Sequence, residues 1–187
     1  MTVSFDRVFA GGTIWTPNGP IETDLGVRAG IISGFGSLSD AAEDVIDVKG
    51  LTVLPGVIDS QVHFREPGLE HKEDLEHGTR GAALGGVTSL FEMPNTDPPT
   101  TTEEAINDKI GRALNRAWTD FAFFAGASPE NLSDLSKLES LPGVSGVKMF
   151  MGSSTGSLLV SDDKDVLRVL ENGYRRVAVH CEDEERL

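Results

Sequence analysis

The 187-residue sequence predicts an α/β protein: a small β-rich module over residues 1–51, then the first part of a (β/α)8 barrel over residues 52–187, with about five strands. Three observations predict it. From Thr52 onward short apolar runs alternate with amphipathic segments, which is the rhythm of βα units on a parallel sheet. Before Thr52, β-type runs are separated by turn signals. Reactive residue types then recur at the ends of several different strands, as they do where the βα loops of a barrel build one site. A doubly wound sheet shares the alternation; that convergence favours the barrel.

Taken in order, Val8–Ala10, Thr13–Trp15, Gly26–Arg28 and Ile31–Ile32 are the β runs of the N-terminal module. Gly11-Gly12, Pro17-Asn18-Gly19 and Ala29-Gly30 are the turns between them. The strands expected next are Leu51–Val62, Thr88–Glu92, Asp120–Ala125, Gly146–Phe150 and Val177–His180. Helices are expected over Lys72–Leu84, after the capping-box pair Thr101 and Glu104, over Pro129–Glu139 behind a Ser128 cap, and over Asp163–Asn172. The acidic run Glu182–Glu185 suits the positive end of a further helix.

Composition narrows the function classes. Thirty acidic against sixteen basic residues give a formal charge of -14, so neither nucleic acid nor an anionic membrane is an expected partner. No apolar run reaches the 18 or so residues of a membrane span. One cysteine, Cys181, forms no internal disulfide, and the N-terminus lacks a signal-peptide pattern, so a cytoplasmic protein is expected. Cys181 is no candidate nucleophile, because the acids that follow it would raise its pKa. Gly85-Gly86 and the run 152–156 (GSSTG) lack phosphate-loop spacing and read as turns, the second beside the site.

Alternation along the first barrel strand places Asp59, Gln61, His63 and Arg65 on one face. Asn95 follows the second strand, Lys148 lies inside the apolar fourth, and His180 ends the fifth. A bare ammonium among apolar residues is costly, so Lys148 needs something to neutralise it.

The segments LPGVIDSQVHFREPG, GGVTSLFEMPNTDPPTT, GVKMFMGSSTG and VAVHCED together resemble the cyclic amidohydrolases, most closely the dihydroorotases, and the resemblance covers essentially the whole chain. It implies a metal-dependent (β/α)8 hydrolase barrel with a small β-sandwich and one or two Zn²⁺ ions. The implied reaction is reversible hydrolysis of a cyclic amide, with dihydroorotate or carbamoyl aspartate as substrate in pyrimidine biosynthesis. His63, Lys148 (as a carboxylated lysine) and His180 match metal ligands, and Gln61 stands where the pattern places another histidine. Arg65 and Asn95 match substrate contacts; a guanidinium at this place suits a ring carboxylate and favours dihydroorotase over allantoinase or hydantoinase. Glu66-Pro67-Gly68 reads as loop geometry. The resemblance also implies a homo-oligomer. Gln61 keeps open a metal-deficient relative that serves as a structural partner of aspartate transcarbamoylase. Eight βα units need about 250 residues, so a fragment of a longer protein is expected, with a further histidine ligand and the general acid/base aspartate beyond Leu187.

Overall fold

The computed structural model describes residues 4–152 and 157–186, so most of the 152–156 turn lies outside the described residues. The chain forms two compact units, divided between Pro55 and Gly56. Among the described residues no helix is long and apolar enough to cross a membrane.

The N-terminal unit is built from β1 (Arg7–Thr16), β2 (Gly19–Arg28), β3 (Ile31–Gly36), β4 (Asp44–Asp47) and β5 (Thr52–Val53). The first three form an antiparallel meander in the order β3-β2-β1, and β4 and β5 join β1 in parallel. The two-residue turn Ala29-Gly30 has positive φ at both positions, which matches the twist of the strands it joins. Val8, Ile14, Leu25 and Val48 are buried in this unit. Asp24 ties its loops: Oδ1 accepts from the Gly11 amide at 2.9 Å, and Oδ2 from the Leu38 amide at 2.8 Å and Ser39 Oγ at 3.0 Å. These bonds, the Leu38 amide foremost, hold the Asp24 carboxyl below its usual pKa. The expected sandwich is a single five-stranded sheet among the described residues.

The second unit carries five parallel strands in chain order: β6 (Val57–Val62), β7 (Val87–Glu92), β8 (Asp120–Gly126), β9 (Val144–Phe150) and β10 (Val177–His180). This curled parallel sheet is consistent with part of a barrel. Helices α1 (Leu75–Leu84), α2 (Glu103–Ala113), α3 (Leu135–Glu139) and α4 (Asp163–Asn172) fall between the strands. Leu90 and Phe123 pack with Leu75 and Ala113, and Val147 and Met149 with Leu135 and Val169, so these strand positions face the helices. By alternation Phe91, Phe124, Lys148 and Phe150 take the opposite face, where Phe91 and Phe124 meet edge to face at 6.3 Å.

Five local expectations are corrected. The run Leu51–Val62 is two strands: Thr52–Val53 pairs with β1, and Pro55-Gly56 breaks the chain before β6. Helix α1 starts at Leu75, behind an Asp74 cap whose side chain accepts from the His77 amide, and α2 is capped by Thr102 rather than Thr101. The helix over Pro129–Glu139 shrinks to α3, because the Ser128 amide donates to Asn131 Oδ1 at 2.9 Å. Asn131 Nδ2 in turn donates to the Thr101 and Gly126 carbonyls, both at 2.9 Å, so its side chain competes with the helical pattern. The acidic run after His180 makes only a short 3₁₀ turn, Glu184–Arg186.

Candidate active site

Val62 and Phe64 pack into the cluster of Leu75, Leu90 and Ala113, which leaves Gln61, His63 and Arg65 on the other face of the chain. His63 is half-buried, and its Nδ1 lies 2.7 Å from Asn95 Oδ1. An amide oxygen only accepts, so Nδ1 carries the proton and Nε2 presents its lone pair. Burial pushes the His63 pKa below its usual value. The charges of Arg65, Lys148 and Lys109 add to that, against the opposing Asn95 hydrogen bond. A neutral imidazole with a free Nε2 is the ligand form.

Arg65 sits at φ 63°, and its Nη1 reaches the Asn95 carbonyl at 3.5 Å. It pairs with no carboxylate among the described residues, because the adjacent Glu66 points elsewhere. Glu66 is buried and accepts from the Leu75 amide at 3.0 Å, from Arg116 Nη1 at 2.8 Å and from Arg116 Nη2 at 3.3 Å. Arg112 adds charge at 3.7 Å. The Glu66 side chain thus fastens the loop after β6 to the start of α1 and the segment after α2, more than the turn geometry expected of it. Arg65 is left facing the site with its fork available.

The loops after β6 and β7 lock together. The Asp97 amide donates to the Pro67 carbonyl at 3.0 Å, and Gly68, at φ 91°, packs so closely that a Cβ there would stand 2.0 Å from the Asp97 carbonyl oxygen. Asn95 lies within this second loop, which explains how residues 32 apart come into hydrogen-bond contact.

Lys148 is 2% exposed, with Nζ 4.8 Å from the centre of the Phe150 ring. Among the described residues it makes neither an ion pair nor a hydrogen bond. Burial pushes its pKa down. His180 is half-exposed at the end of β10; its ring stacks on Phe150 at 5.9 Å, and Nε2 approaches Glu182 at 3.2 Å. Gln61 is exposed, and its backbone N–H donates to Asp59 Oδ1 at 3.0 Å.

The structure therefore joins His63, Asn95 and Arg65 directly, and gathers Lys148 and His180 around Phe150. It brings no three His, Cys, Asp or Glu side chains into metal-binding reach among the described residues. The donor types fit a divalent cation in part. Among the described residues His63 Nε2 is free, His180 is accessible, and Lys148, buried and unpartnered, suits conversion to an anionic oxygen ligand. Gln61 offers only a neutral amide oxygen.

Two residues escape a motif reading. Glu92, the last residue of β7, and Lys109, in α2, are both fully buried, with Lys109 Nζ 2.6 Å from Glu92 Oε2. Burial drives the Glu92 carboxyl up to about 7, against the pull of Lys109 and the Phe64 amide, and drives Lys109 down. The signal was present: Lys109 occupies the apolar stripe of α2 between Ile106 and Ala113, and Glu92 ends an apolar strand.

Residues 50–141 match the family described as dihydro-orotase-like. Allantoinase from Deinococcus radiodurans is 36% identical over 98% of this chain and 42% of its own length; allantoinase from Rubrobacter xylanophilus is 38% identical over 96% and 40%. Among solved structures, an L-hydantoinase (dihydropyrimidinase) from Arthrobacter aurescens superposes with a TM-score of 0.88 at 30% identity, over 97% of this chain and 42% of that one. A D-hydantoinase from Thermus sp. gives 0.80 at 26%, over 96% and 41%. The chain thus spans about two fifths of the length of the relatives it matches.

Proposed function

Because the chain belongs to the cyclic amidohydrolase superfamily, we propose that the protein of which these residues are part hydrolyses a cyclic amide of the allantoin or hydantoin type. The observation that carries the reading is the cluster at the C-terminal strand ends. His63, Asn95 and Arg65 are linked by hydrogen bonds, and Lys148 is buried without an anion among the described residues. The names of the relatives support this substrate class over dihydroorotate alone.

His63, Lys148 in carboxylated form and His180 are the residues that would hold one or two zinc ions, with Gln61 a weaker candidate. When bound, such a metal polarises the ring carbonyl and lowers the pKa of water. The chain's own residues do the rest. Asn95 holds the His63 imidazole in one tautomer, Arg65 and Asn95 present donors that orient the ring, and Phe150 excludes water beside Lys148.

A second reading, dihydroorotase, is favoured by one observation: Arg65 has no carboxylate partner among the described residues, and its fork suits a ring carboxylate. Turnover of allantoin, a hydantoin and dihydroorotate by the intact protein, with zinc content measured alongside, separates the two. Hydrolysis of the carboxylate-free rings is the expected result. If dihydroorotate is the substrate, Arg65→Met raises its KM by about 10- to 100-fold, the loss of one charge-assisted contact. No turnover of any ring by zinc-replete protein sinks both readings. Gln61→His tests the remaining ligand position: higher zinc content and rate place residue 61 in the metal shell.

A further inference from the structure

The Lys109 ammonium bonds none of the residues assigned above, yet each of its bonds ends on the segment that carries Asn95. An ammonium has three N–H donors, and Lys109 Nζ has three acceptors: the Met93 carbonyl at 3.1 Å, Thr100 Oγ1 at 3.2 Å and Glu92 Oε2 at 2.6 Å. Met93 and Thr100 are the two ends of one loop, and Glu92 is the strand residue that precedes it. Inside the loop, Thr96 Oγ1 reaches Thr100 Oγ1 at 3.2 Å and donates to the Pro98 carbonyl at 2.9 Å, while the Thr100 amide donates to the Pro94 carbonyl at 2.9 Å. The ammonium also lies over the Phe123 ring, with Nζ 5.2 Å from its centre.

Core stability alone is a poor reason for this arrangement. Replacing a buried ion pair with apolar residues of similar volume is often neutral or stabilising. A buried lysine is a sound choice where two chain ends must be fixed to one point of a helix. We propose that Lys109 is a positioning residue for the site: it staples both ends of the Met93–Thr100 loop to α2 and so sets Asn95 against His63 and Arg65. The inference rests on the proposed function for its consequence in catalysis, though the stapling itself does not.

The test uses the intact protein and the double variant Lys109→Met/Glu92→Leu, which removes the staple without leaving a buried charge. Lys109→Met alone leaves Glu92 unpaired and is not relied on. Hydrogen exchange at the Asp97 and Thr100 amides should accelerate at least about tenfold in the double variant, while the β8 amides keep their wild-type rates. KM for the hydrolysed ring should rise about tenfold with kcat within about threefold, at a melting temperature equal to or above wild type. Thr100→Val, which deletes one of the three bonds, should give a smaller change in the same direction. Wild-type exchange at both amides, or wild-type KM with accelerated exchange, overturns the proposal. If the wild-type protein hydrolyses no ring, the proposed function fails by itself, and the exchange rates still decide whether Lys109 staples the loop.

Discussion

Gly68→Ala perturbs the joint between the two site loops without touching a charged group. Gly68 has φ 91°, outside the comfortable range of an L-residue, which costs about 1–2 kcal/mol once a Cβ is present. That Cβ would also stand 2.0 Å from the Asp97 carbonyl oxygen and 2.7 Å from the Asp97 Cβ. Neither is the free end of a flexible side chain, so the backbone must shift, at a further cost of about 1–3 kcal/mol. A central value near 3 kcal/mol, with a urea dependence of about 2 kcal/mol per molar, lowers the unfolding midpoint of the C-terminal unit by about 1.5 M. The chain holds two tryptophans, and Trp118 belongs to this unit, so its fluorescence in a Trp15→Phe background reports the transition. Gly81→Ala in α1 is the control. Its Cβ meets nothing within 4 Å, and the change should stabilise by about 0.5–1 kcal/mol. A Gly68→Ala midpoint within about 0.3 M of the parent refutes the steric argument.

In the metal-free protein Lys148→Met should raise stability by about 1–2 kcal/mol, because a buried ammonium with no counter-ion among the described residues becomes an apolar chain of similar size, while ring hydrolysis by the intact metal-loaded protein is abolished. Thermal unfolding and turnover, measured together, check the pair of outcomes. Glu92 gives a pH signature. Its folded pKa is raised to about 7 from 4.5, so across that window the folded state binds the extra proton, and the group's contribution to stability falls as pH rises. Urea midpoints at pH 5 and pH 8 should therefore converge in Lys109→Met/Glu92→Leu relative to the parent. Asp24→Ala should destabilise the N-terminal unit by about 1–2 kcal/mol through three lost hydrogen bonds. Because its folded pKa is lowered, the Asp24 contribution is present above pH 3.8 and lost below it, so the gap from wild type seen by Trp15 fluorescence should narrow in acid.

The amino-acid sequence by itself determined the alternation of strands and helices in the second unit and the strand ends that bear His63, Asn95, Lys148 and His180. Period-2 and period-3.6 patterns are local properties, written within a dozen residues of one another, and β7 to β10 and α4 follow them closely. It also flagged Lys148, since a lysine in an apolar strand is anomalous wherever the chain goes. Tertiary structure decided the rest. Local pattern favoured a helix from Pro129, but the Asn131 side chain has better partners at Gly126 and Thr101, the latter 30 residues away. Glu66 read as a turn residue until folding brought Arg116, fifty positions on, to its carboxylate. The three acceptors of Lys109 likewise come from a strand end and a loop that only packing sets beside α2. The physical reason is the same in each case. A polar side chain's energy depends on which partners replace its water, and those partners are chosen by the fold rather than by neighbours in the chain.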